Sequence, residues 1–141
     1  MKNNIEISKS IFESIKHVDE FGNEYWLARE LQQVLEYKEW RKFESVIEKA
    51  KESCANSKFN IFYHFVGVDK MIDLAKRATR KIKDYKLSRY ACYLIVQNAD
   101  PRKEIVALGQ TYFAIQTRKQ ELFEKDYDEL SEDEKESIKE I

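Results

Sequence analysis

A chain of 141 residues suits one compact domain with an additional terminal element, and at that size about 70% of the unfolded surface can be buried without a staple. Charged side chains make up 36% of it, and three glycines with one proline are too few turn formers for a many-stranded sandwich or barrel. The longest apolar run, Ala91 to Val96, falls far short of the roughly 18 residues of a membrane span, and the first residues do not read as a signal peptide.

In chain order, Ile7, Ile11 and Ile15 recur at a spacing of four and predict a short amphipathic helix. Ile15 to Asp19 alternates and can pair with Glu24 to Leu27 across Glu20-Phe21-Gly22-Asn23, a hairpin turn. Ala28, Leu31 and Leu35 announce a second helix. Trp40, Phe43, Ile47, Ala50 and Cys54 announce a third, with charged residues on its other faces. The small, polar stretch from Ser53 to Asn60 ends that helix, and the aromatic and β-branched run Ile61 to Val66 predicts an extended segment. From Asp69 to Lys86 the pattern fits a helix or a strand equally.

A central helix is expected from Ser88 to Asn98. Asp100-Pro101 then reads as N-cap and first residue of a long helix ending near Glu124, about 36 Å in length. Gly109 inside it predicts a close helix crossing. Ser131 to Glu134 fits a capping box, yet only Ile138 and Ile141 follow, so a fragment or an exposed arm is expected there. Tyr90, Tyr93, Tyr112, Phe113, Trp26 and Trp40 are assigned to the core. Cys54 and Cys92 lie on apolar stripes and read as buried free thiols, which places the chain in the cytoplasm.

The net charge of −1 hides a strong asymmetry. Residues 1–57 carry −2, residues 58–119 carry +8 and residues 120–141 carry −7. Such a pattern fits an anionic partner, or an acidic end that folds back on the basic middle. Between Lys76 and Arg89 lie Lys76, Arg77, Arg80, Lys81, Lys83, Lys86 and Arg89 against Asp84 alone, a net of +6 in fourteen residues. Phosphate neutralisation needs cations at this density, and arginine adds bidentate geometry. Arg102-Lys103 and Arg118-Lys119 mark the ends of the long helix, and the first pair joins the candidate contact set.

Catalysis has little to stand on. His17 and His64 occupy no metal-ligand spacing, Cys54 and His64 lie ten apart, and three scattered glycines make no phosphate loop. No enzyme activity, metal or cofactor is expected.

The run Leu87-Ser88-Arg89-Tyr90-Ala91-Cys92-Tyr93-Leu94-Ile95-Val96-Gln97-Asn98-Ala99-Asp100-Pro101-Arg102-Lys103 resembles the DNA-damage-inducible protein D (DinD) family. Gln110 to Arg118, Gly22 to Leu31 and Trp40 to Phe43 continue the likeness, which spans about residues 12–135. More distantly, the hairpin followed by helices is similar to the amino-terminal module of BRO-type proteins and phage antirepressors. The family pattern calls for glycine where Glu36 precedes Tyr37. The resemblance implies a bacterial protein of the DNA-damage (SOS) response, linked to the RecA filament, with a DNA-binding BRO-type module, and it carries over no catalytic residue.

The expectation is therefore an α+β domain, predominantly helical with a small antiparallel β-sheet (the hairpin plus one or two short strands). It comprises residues 1–125, followed by an acidic helical segment at 126–141. Its expected partner is DNA, single- or double-stranded, bound non-covalently, or else a protein surface: RecA or a missing carboxy-terminal half. A homodimer stays open.

Overall fold

Asn3 begins the fold as a helix cap: its side chain accepts a hydrogen bond from the Glu6 amide at 2.8 Å and starts α1 (Asn4–Ser14). The computed structural model describes residues 3–128. After α1 come β1 (His17–Val18), β2 (Glu24–Leu27), α2 (Ala28–Val34), α3 (Trp40–Asn56), α4 (Ile61–His64) and β3 (Phe65–Asp73). A 3-10 turn at Ala75–Arg77 leads into β4 (Thr79–Leu87), α5 (Arg89–Asn98) and α6 (Glu104–Asp128). The four strands form one antiparallel sheet in the order β1-β2-β4-β3, so the fold is α+β.

The β1–β2 hairpin forms where the turn chemistry puts it. Gly22 supplies a φ of +84°, and Asp19 accepts hydrogen bonds from the Phe21 and Asn23 amides, both at 2.9 Å. Trp26, Leu87, Phe65 and Tyr85 share the buried face of the sheet, because Leu87 is in register with both Trp26 and Phe65. Against that face lie Phe12 of α1 and Phe113 of α6, with Phe113 5.3 Å from both the Phe12 and Trp26 rings. The Trp26 indole N–H donates to the Phe12 carbonyl at 3.0 Å, so the largest core side chain leaves no polar atom unpaired. The α3 stripe is as expected: Phe43, Ile47, Ala50 and Cys54 are buried, and Trp40 is half-buried. Cys54 and Cys92 are free, buried thiols.

Two expectations need correction, and one open choice between helix and strand is settled. Residues 61–64 are a single helical turn, because the Asn60 carboxamide oxygen caps the Phe62 amide at 2.9 Å; the extended backbone begins only at Phe65. Residues 69–86 resolve into the strands of a long hairpin. The long helix starts at Glu104 rather than Pro101, because the Asp100 carboxylate is taken up by Arg102, whose amide (3.1 Å) and guanidinium (3.0 Å) both donate to it. That helix runs to Asp128, and the capping box at Ser131–Glu134 lies outside the described residues. Of the aromatic residues assigned to the core, Tyr112 and Phe113 are buried, while Tyr90 and Tyr93 are half-buried against it.

Candidate nucleic-acid interface

Strands β3 and β4 pair over nine rungs, from Phe65 opposite Leu87 to Asp73 opposite Thr79, whereas β2 pairs with β4 only at Leu87 and Lys86. Among the described residues no third strand pairs with the rest of the hairpin. None of residues 66–83 is buried, and at about 3.3 Å per residue the strands reach roughly 30 Å. This two-stranded arm carries Lys70, Lys76, Arg77, Arg80, Lys81 and Lys83 against Asp69 and Asp73.

Its base is anchored by the one carboxylate of the basic stretch. Asp84 is 2% exposed and accepts hydrogen bonds from the Arg29 amide at 2.9 Å and the Tyr85 amide at 2.8 Å. Leu27, the residue in the cap position of α2, offers no side-chain acceptor, so Asp84 caps that helix from a strand 55 residues away. Arg29 completes the anchor: its Nε donates to the Lys83 carbonyl at 2.8 Å, and its guanidinium lies 3.8 Å from the centre of the Trp40 ring. Burial draws the Arg29 guanidinium below its ordinary pKa; Asp84 and Glu44 oppose that shift and the nearby Arg80 adds to it.

Register decides how the cations are presented. Lys81 and Lys83 share one face of the ribbon with Met71 and Asp69, while Lys70, Arg80 and Lys86 share the other with Ile72, Ile82 and Val66. Lys76 and Arg77 form the tip, both with a φ of +63°. Among the described residues, no carboxylate forms an ion pair with Lys76, Arg77, Arg80 or Lys81. Lys83 reaches Glu44 at 3.3 Å, and its hydrogen bond to Tyr85, helped by Glu44, raises its pKa. Lys86 lies 4.9 Å from the centre of the Tyr25 ring, and Arg89 is ion-paired with Glu24.

The remaining two predicted cations sit elsewhere, on the turn before α6. Arg102 is bound to Asp100, while Lys103 donates to the Glu36 carbonyl at 2.6 Å and lies 4.0 Å from the centre of the Tyr37 ring. Lys70 and Arg29 escaped the sequence reading. Lys70 lies outside the contiguous basic run and joins it only through strand pairing opposite Ile82.

Among the described residues no group of three or more His, Cys, Asp or Glu side chains is placed to hold a metal ion, and no helix is long and apolar enough to cross a membrane. His64 Nδ1 lies 2.6 Å from Ser88 Oγ, which also accepts from the Ala91 amide at 3.0 Å and caps α5. Burial lowers the pKa of His64.

Residues 14–114 match the family model described as BRO family, N-terminal domain. The chain is also 50% identical over 125 residues to DNA damage-inducible protein D of Escherichia coli (strain K12), covering 88% of this chain and 46% of that protein. The chain thus spans about half the length of this curated relative. No solved structure matches. The matched segment runs from the end of α1 to within α6 and so includes the whole sheet and its arm; the chain belongs to the DNA damage-inducible protein D family, with a BRO-type amino-terminal domain.

Proposed function

We propose that this domain serves the DNA-damage response by binding DNA non-covalently, with the β3–β4 arm as its contact element. The observation that carries the proposal is the arm itself: an unburied two-stranded ribbon with six cations against two carboxylates. A major groove about 12 Å wide admits a two-stranded ribbon, and phosphates line both of its walls. Cations on both faces and at the tip then serve a purpose that a one-sided patch would not. Kinship to a DNA damage-inducible protein supports the biological setting.

The test reverses charge where the fold has nothing to lose. Arg77→Glu, Arg80→Glu and Lys81→Glu alter exposed side chains, so the fold survives, and together they abolish retardation of duplex DNA in a gel. Unchanged retardation rejects the arm as the contact element.

A second reading rests on the −7 charge of residues 120–141: the arm meets an acidic protein surface, either that segment or the RecA filament. Under this reading the charge-reversed variant loses RecA binding while free duplex is never bound.

A further inference from the structure

The base of the arm carries a feature that duplex binding does not use. Phe59, Phe62 and Tyr63 are 52%, 84% and 76% exposed, although aromatic rings are the side chains a fold gains most by burying. Phe62 and Tyr63 belong to the single turn α4, in the run that the sequence reads as an extended segment. Behind them the rings form a connected set: Phe59 lies 4.8 Å from Tyr90, Tyr63 lies 5.2 Å from His64, and His64 lies 5.1 Å from Tyr90.

Beside this set opens a groove of about 580 Å³, lined in part by Tyr25, Tyr63, Tyr90, Val66 and Lys86. Its size is ordinary for a small planar ligand. Val66 and Lys86 face each other across the second rung of the arm, so groove and arm are continuous. The groove wall carries two cations, Lys86 and Arg89, and Lys86 stands where the groove meets the arm. The two carboxylates on the groove wall are already engaged, Asp19 in its own turn and Glu24 with Arg89.

We propose that this aromatic groove binds unpaired bases of single-stranded DNA, with Tyr63 as the stacking platform on its wall, the exposed Phe62 next to it in α4 as a second ring, and Lys86 leading the phosphate backbone onto the arm. The inference deepens the DNA-binding reading and rests on it. Stacking is indifferent to base identity because every base has a π-face, so the site reads strandedness and not sequence. A domain so built recognises a junction, with duplex along the arm and an unpaired strand at its base.

The test uses the whole 141-residue protein and two labelled probes, a duplex and an oligo-dT of about 16 nucleotides, a length such grooves cover. Phe62→Ala with Tyr63→Ala removes exposed rings only, and circular dichroism checks that the fold is kept. The double variant is expected to lose about tenfold or more in oligo-dT affinity and to hold duplex as the parent does, while Tyr63→Trp retains oligo-dT. Undiminished oligo-dT binding by the double variant overturns the groove while leaving the arm standing, and it assigns the rings to a protein surface. A parent protein that binds neither probe refutes the arm and the groove together.

Discussion

At the scale of single residues, two backbone positions show how local chemistry and packing oppose one another. Gly109 sits where α6 crosses both α1 and α5, and a Cβ there would lie 2.9 Å from Phe12 Cζ and 3.1 Å from Val96 Cγ1. Phe12 has nowhere to retreat, since its fully buried ring is packed against Tyr112 and Phe113. Alanine would gain about 1 kcal/mol of helix propensity, but overpacking a rigid core costs about 1–3 kcal/mol, so strain wins. Gly109→Ala is therefore expected to lower the unfolding free energy by about 1 kcal/mol in a urea titration. A variant more stable than the parent would mean that α1 gives way at this crossing. Glu36 is the converse case. It holds a φ of +62° just after α2, the left-handed backbone that glycine adopts at least cost. The glutamate there bears a strain of roughly 1 kcal/mol.

At the scale of elements, the arm tip repeats that strain twice over, at Lys76 and Arg77. Tight hairpin tips with left-handed residues favour asparagine and glycine, and each other residue there costs about 1 kcal/mol or more. Lys76→Asn with Arg77→Gly should thus slow amide exchange along β3 and β4, by a factor matching roughly 1–2 kcal/mol of added local stability. The same change should weaken duplex binding and reduce its salt slope by about 2, one for each phosphate that the tip no longer neutralises. Stability and affinity move in opposite directions if the tip touches DNA; a tip that grows more stable with affinity unchanged does not touch it. The arm also marks where the sequence ceases to be legible. The α3 stripe, the Ser88 cap and the Gly22 turn are local signals, and each element forms where those residues put it. Residues 69–83 carry no such signal, because neither face of the arm is buried and hydrophobic alternation never develops. Cross-strand pairing holds the arm, and pairing depends on the partner strand. In the same way the cations of 76–86 were legible as a cluster, but their division between two faces was not. Nor was Asp84 legible as a helix cap, since its client lies 55 residues earlier in the chain.

At the scale of the whole molecule, the question is what the +8 of residues 58–119 is balanced against, since residues 120–141 carry −7. If four or so of the arm cations meet phosphates, log affinity for duplex falls against log salt with a slope of about −4. An acidic segment that occupies the arm would compete with DNA, and the competition would itself weaken as salt screens it, flattening the slope below that value. Deleting residues 126–141 separates the two cases in one salt titration followed by fluorescence anisotropy. Should the acidic end be an internal competitor, the truncated chain binds more tightly at low salt and its slope steepens toward −4. Should it only lead onward along the polypeptide, the two titrations superimpose. The first outcome makes the charge asymmetry a self-inhibiting device; the second leaves the arm open to DNA at every ionic strength, with its affinity set by the arm and groove alone.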